Sequence, residues 1–206
     1  MNTPKLILHA FVQLSENPAV YIDPYEVPGS LLYGDYIFIT HSHYDHLSIP
    51  DIKKLLKNST KIIAPEECKS KLLGFNNVTY VKPNQHYKID LIEIYTVPAY
   101  NIGKPFHPKA NNWVGYVVTI NGVKYYHTGD TDFIPEMKDL ANMNIDFAFF
   151  PVGGTYTMNA KEASDAANII KPKTSIPMHY GTVVGSRKDA EQFAQFVKES
   201  TVKILL

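Results

Sequence analysis

Six consecutive residues, His41, Ser42, His43, Tyr44, Asp45 and His46, carry three imidazoles and a carboxylate directly after the apolar run YIFIT at 36–40. A run of that kind reads as a strand, and the turn leaving a strand can aim several side chains into one cleft. The residues that follow, 49–58, place apolar side chains at Ile49, Ile52, Leu55 and Leu56, which is helical spacing. Any fold open to this chain must therefore present a strand-to-helix loop at a cleft. Neutral imidazole and carboxylate together suit Zn²⁺ and neighbouring first-row cations. The bland alternative is a solvated histidine-rich loop, but the His-x-His-x-Asp-His spacing is far more specific than a histidine count.

The remainder of the chain reads as short strands feeding helices, twice over. KLILHAFVQL, AVYIDPY and DYIFIT are β-rich runs bounded by Pro, Gly, Asn or Asp, followed by KIIAP, a helix at 66–73, NVTYV and a long run at 87–97. In the second half WVGYVVTI and VKYYHTG flank Asn121-Gly122, a strong hairpin signal. FAFFPVGG ends a strand in a glycine turn, a helix spans 159–170 and stops before Pro172, TSIPMHYG ends another strand, and a helix at 187–200 leads into a terminal strand VKILL. This order predicts an α+β fold: two mixed β-sheets packed face to face with helices outside, a four-layer αββα sandwich. With 206 residues, 45% of them hydrophobic, the expectation is a single domain spanning 1–206.

Charge and cysteine usage bound the function. Twenty basic residues balance twenty acidic ones, so there is no global positive field to draw nucleic acid, and a small-molecule substrate is the expected partner. The lone Cys68 has no intramolecular disulfide partner, and the amino terminus shows no basic segment followed by an apolar stretch and cleavage site. Cytoplasmic location is the resulting expectation. No apolar run approaches the roughly 20 residues that span a bilayer. Oligomeric state is not legible.

THSHYDH at 40–46 resembles the Thr-His-x-His-x-Asp-His signature of the metallo-β-lactamase superfamily of hydrolases. LHAFVQL and VYIDP are similar to that family's first hairpin, YHTGDTD to its Gly-Asp metal-bridging motif, and IPMHYG to its last histidine motif, all in the family's order. Within the family the chain is similar to the small stand-alone hydrolases that include lactonases of sugar-phosphate type. The resemblance implies that His41 and His43 hold one metal, Asp45 and His46 hold a second, Asp130 bridges the two and His179 completes the second site. Gly129 suits Asp130 because a glycine lets the chain turn sharply after the YYHT strand. Turn formation alone is the competing role for Asp130, and ordinary packing the competing role for His179.

One ligand departs from the family's pattern. Where a further histidine for the first metal is expected, the chain reads TVPAYNIGKPFHPKANNW, with Tyr100 and Asn101 at the expected place. His107 is the favoured substitute because its loop is long enough to fold back, and His86 is the weaker candidate. Asp23 and His9 are expected to orient ligands rather than bind metal, against the alternatives of a turn starter and a packed core histidine. His127 is not read as a ligand, and Asp132 reads as a supporting carboxylate or a helix cap. Gly154, Thr155 and Tyr156 are expected to form a substrate wall, with Tyr100, Trp113 and Tyr180 as further candidates near it. Backbone N–H groups there or at the helix start near Asn159 offer a conceivable phosphate seat.

The resulting expectation is a hydrolase with two divalent cations, zinc first and Mn²⁺ or Fe²⁺ as alternatives, which together generate hydroxide near neutral pH. Its targets would be a small ester, lactone or phosphodiester, with Asp45 orienting the nucleophile and shuttling a proton. The alternative is a metal-binding, non-catalytic protein on the same scaffold, in which the irregular third motif has spoiled one site.

Overall fold

Thirteen strands, β1 (Lys5–Leu8), β2 (Phe11–Glu16), β3 (Ala19–Ile22), β4 (Tyr36–Phe38), β5 (Lys61–Pro65), β6 (Val78–Val81), β7 (His86–Ile89), β8 (Ile92–Pro98), β9 (Val114–Ile120), β10 (Val123–His127), β11 (Phe147–Pro151), β12 (Thr174–Met178) and β13 (Thr201–Val202), form two sheets in the computed structural model, which describes residues 3–206. The first sheet runs β1-β2-β3-β4-β5-β6 and the second β13-β12-β11-β10-β9-β8-β7. Each is mixed: β1 to β3 pair antiparallel and β3 to β6 parallel, while β7 to β10 pair antiparallel and β10 to β13 parallel. Three helices, α1 (Ile49–Leu55), α2 (Ala160–Ile170) and α3 (Arg187–Phe196), complete the regular elements with three 3-10 segments.

Three apolar layers correspond to the three interfaces of a four-layer sandwich. Between the sheets, Val12, Leu14, Ile22 and Phe38 from the first meet Ile94, Tyr116, Val118 and Phe149 from the second. Outside the first sheet, Ile37, Ile39 and Ile62 pack with Ile52 and Leu55 of α1 and with Cys68 and Leu72. Outside the second, Tyr126, Ala148 and Phe150 pack with Ala163, Ala167 and Ile170 of α2 and Phe193 of α3. Each large side chain so buried is worth about 1.5–3 kcal/mol relative to exposure. The αββα expectation is met. Among the described residues no helix is long and apolar enough to cross a membrane.

Several local expectations needed correction. KLILHAFVQL is a hairpin and not one strand, because His9 adopts a φ of 56° and folds Phe11 back onto Leu8. The run at 87–97 likewise breaks at Asp90, whose φ is 53°. The segment Glu66–Leu72 is a 3-10 helix, and it buries Cys68 completely. A second, unanticipated 3-10 segment, Pro135–Asn142, buries Met137 and Leu140 at the three-residue spacing that this helix favours. The last helix ends at Phe196 because Asn168 of α2 accepts hydrogen bonds from the amides of Lys198 and Glu199 at 2.7 and 3.2 Å. The terminal strand then shrinks to Thr201–Val202. The Asn121-Gly122 hairpin is as expected, with φ of 50° and 79°, both positive as the tight primed turn requires.

The topology explains where a site can form. Because β8, β10, β11 and β12 run in the same direction, their carboxyl ends share one edge of the second sheet, the place where open α/β sheets bind ligands. The end of β4 joins that edge: the Val114 amide donates to the Thr40 carbonyl at 3.2 Å. The buried Tyr116 hydroxyl ties the sheets together there by donating to the Ile39 carbonyl at 2.8 Å.

Candidate metal centre

Eight ligand-type side chains from five separate segments converge at this edge. Ligand atoms of His41, His43 and His107 lie within 4.8 Å of one another, and those of His9, Asp45, His46 and His179 form a second such set. Asp130 stands between them. Its Oδ2 lies 3.9 Å from His41 Nε2, 3.3 Å from His107 Nε2 and 3.0 Å from His179 Nε2, while its Oδ1 lies 3.3 Å from His46 Nε2. The loop after β8 thus brings His107 to the cluster. His86 is exposed on the edge strand β7 and belongs to neither set.

Local chain geometry accounts for these positions. Gly129 adopts a φ of 64°, and a Cβ there would sit 3.1 Å from both Thr40 Cβ and the Val114 carbonyl oxygen, so only glycine lets Asp130 approach so closely. His9, Asp23 and His179 all adopt left-handed backbone conformations, with φ of 56°, 49° and 59°. Such conformations are uncommon outside glycine and gather where the surroundings over-determine them. Here the His179 amide donates to the His9 carbonyl at 2.8 Å and the two rings lie 3.8 Å apart, locking the β1–β2 turn to the end of β12.

A shell of hydrogen bonds sets which ring nitrogen faces the cluster. His46 Nδ1 donates to Asp23 Oδ2 at 2.7 Å, which leaves Nε2 as the nitrogen that faces the cluster. Thr40 Oγ1 donates to the same Asp23 oxygen at 2.6 Å and lies 2.9 Å from His41 Nδ1, so it accepts the His41 proton and leaves His41 Nε2 with a lone pair. Asp23 therefore orients one histidine in each set, and its turn-starting conformation is what aims it. Asn101 does the same for His107: its Oδ1 accepts from both the amide and Nδ1 of His107 at 3.0 Å. Asn101 is held in turn by donating to Asp132 Oδ1 at 3.1 Å and the Tyr156 carbonyl at 2.9 Å. His9 Nε2 donates to Asp45 Oδ2 at 3.1 Å, and its Nδ1 accepts from Thr182 Oγ1 at 3.1 Å.

The atoms turned inward have no hydrogen-bond partner: His46 Nε2, His107 Nε2, Asp130 Oδ1 and both ring nitrogens of His179 are buried without one. Leaving such groups unmatched is costly, so a cation fits this donor set. The electrostatics agree. Burial holds the His41 pKa well below its ordinary value, and burial with the neighbouring His107 lowers that of His43, so both are neutral donors at pH 7. Burial opposes charge on His46 too, but Asp130 and Asp23 outweigh it and raise its pKa well above the ordinary value. A proton or a divalent cation meets that demand. Burial disfavours the Asp45 carboxylate, yet the His9 hydrogen bond and His46 hold its pKa at about 2. Asp130 is likewise held ionised, its burial outweighed by His179 and His46.

Other expected positions fared unevenly. Tyr100 faces away, its hydroxyl donating to Glu136 at 2.9 Å. Tyr156 lines the cleft over the cluster, whereas Gly154 and Thr155 do not. Asp132 caps no helix but braces the 101–104 loop through the Ile102 amide and Lys104, both at 2.7 Å. Tyr180 is buried in the outer layer, and Trp113 packs behind the His41 and His43 rings with centroids 4.9 Å from each. His127 is a clamp between sheets, donating to the Ala10 carbonyl at 2.9 Å. Thr40, Asn101 and Thr182 escaped the sequence reading, since their roles depend on partners distant in the chain. Phe106, beside His107, carried no signal of its own.

Residues 8–179 match the model of the beta-lactamase superfamily domain. A metal-dependent hydrolase of Thermococcus onnurineus is 34% identical over 94% of this chain and 85% of its own length, and one of Pyrococcus furiosus is 31% identical over 96% and 93%. Among solved structures, a Parabacteroides distasonis protein assigned as a metal-dependent hydrolase superposes with a TM-score of 0.84 at 35% identity, covering 97% of this chain and 90% of that one. A metallo hydrolase from Ignicoccus hospitalis shares the fold, with a TM-score of 0.82 at 22% identity over 98% and 95% of the two chains.

Proposed function

The chain belongs to the β-lactamase superfamily and is a metal-dependent hydrolase, and from that premise we propose that it binds two divalent cations, zinc in the first place, and cleaves a small ester, lactone or phosphodiester. The observation that carries this reading is Asp130, standing within 4 Å of histidines of both sets while its Oδ1 and the facing nitrogens of His46, His107 and His179 have no other partner. His41, His43 and His107 would hold one cation, Asp45, His46 and His179 the other, and Asp130 both. Manganese or ferrous iron would suit the same nitrogen and oxygen donors.

Cations so held supply Lewis acidity and a water acidified to near neutrality. The protein's own groups do the rest. Asp45 is ionised and fixed through Oδ2 by His9, so besides helping to hold the cation its carboxylate can orient a nucleophile and accept its proton. His9, backed by Thr182, keeps that carboxylate fixed. The cleft above the cluster has a volume of about 270 Å³, the scale of a small substrate.

The test is metal-reconstituted protein assayed on a panel of small esters, lactones and phosphodiesters, beside Asp130→Ala and a chelated control. Turnover of at least one class should appear with metal, and Asp130→Ala should lower it about a thousandfold. Turnover that survives both chelation and Asp130→Ala would refute the reading.

A further inference from the structure

The floor of the cleft is polar and charged, but its mouth is not. Phe106 and Tyr156 stand edge to face with ring centroids 4.7 Å apart, and Tyr44 and Val183 complete the rim. Phe106 is 39% and Val183 37% exposed, so apolar surface is left facing solvent directly over the candidate ligands. A concave site lined by a few polar groups below and aromatic surface above favours a ligand with a reactive polar end and an apolar body.

The devices that hold a phosphate are committed elsewhere. Among the described residues no lysine or arginine lines this cleft. Lys104, on the same loop as Phe106, donates to Asp132 Oδ1 at 2.7 Å and to the Thr157 carbonyl at 2.8 Å. The glycine turn after β11 has no free cradle, since the Gly154 amide donates to the Met158 carbonyl at 3.1 Å and the Thr155 amide to the Gly153 carbonyl at 3.0 Å. At the start of α2, the Asn159 side chain itself accepts from the amides of Lys161 and Glu162. The phosphate seat considered from sequence is therefore filled by the chain's own groups.

Building on the hydrolase reading, we propose that the substrate is an uncharged carboxylic ester or lactone bearing a flat apolar substituent, seated on Phe106, Tyr156 and Val183, and that phosphodiesters are excluded. The carbonyl end meets the polar floor, and the rim selects the substituent. Phe106 adjoins His107 in sequence, so the seat and the metal set share one loop.

Calorimetry on the metal-loaded full chain tests the seat without turnover, using the inert probes 2-pyrrolidinone, 5-phenyl-2-pyrrolidinone and diphenyl phosphate. The phenyl group should tighten lactam binding about tenfold, and diphenyl phosphate should bind more weakly than the phenyl lactam. Phe106→Ser should shrink the ratio between the two lactams severalfold, with metal content measured in the same samples. Val183→Ser, on a different loop, should shrink it too. Equal affinity for the two lactams, or tighter binding of diphenyl phosphate, overturns the proposal. Turnover of γ-phenyl-γ-butyrolactone against bis(4-nitrophenyl) phosphate separates the two levels: faster phosphodiester cleavage refutes the seat and leaves the hydrolase reading intact. Lactam discrimination with no turnover on the panel supports the seat and counts against the hydrolase reading.

Discussion

The two halves of the candidate metal centre are built to different standards. Around His46, the groups outside the β4–α1 turn sit at strand ends or in a turn pinned between strands: Asp23 follows β3 and fixes His46, the β1–β2 turn supplies His9 to hold Asp45, and His179 follows β12 with its amide bonded across to His9. Around His41, the set is closed by His107, whose place depends on a loop of some fifteen residues between β8 and β9 stitched by Asn101 and Asp132. His43 is also only half-buried, whereas His9, His46 and His179 are shut in. Donors fixed by a rigid scaffold need little ordering when a cation binds, and donors on a loop need more. The His46 half should therefore bind its cation more tightly.

Cutting the shared support should erase the contrast. Asp23→Ala removes the partner of His46 directly and of His41 through Thr40, so metal affinity should fall about a hundredfold in both halves by competition against a chromogenic chelator. Equal loss in Asn101→Ala would break the comparison; that variant should cost about tenfold and only in the His107 half. The smallest signal is protonic. The raised pKa of His46 favours a proton on its Nε2 when no cation is bound, so a cation there must displace it, whereas the lowered pKa values of His41 and His43 favour the neutral ring. Calorimetry in buffers of unlike ionisation enthalpy should show about one proton released on filling the His46 half, and that half should lose affinity first as pH falls. The other half should release fewer.

Legibility followed the range over which each role is decided. His41, His43, Asp45 and His46 announce themselves because strand alternation and one turn suffice to bring them together. Asp130 and His179 are marked by the glycines beside them and by their strand ends. His107 was reachable only by reasoning about loop length, since nothing within its neighbours fixes its direction. Asp23 divided evenly between turn starter and ligand support, and the structure shows why: its left-handed turn is what points the carboxylate at His46 and Thr40. Asn101 and Thr182 act across 6 and 173 residues of sequence, and no local pattern encodes such a partner. Tyr100 misled because it occupies the place where a ligand was expected, while its ring turns outward to Glu136 and Lys109. The sheets were legible from alternation, but their breaks at His9 and Asp90 were not, because neither residue type demands a positive φ.

Metal release from the purified protein under rising chelator, followed by elemental analysis in wild type and His107→Ala, tests the unequal two-cation centre most directly. Wild type should lose two equivalents in two separated phases, and His107→Ala should keep only the tighter one. A single phase in wild type, or unchanged stoichiometry in His107→Ala, would contradict the account.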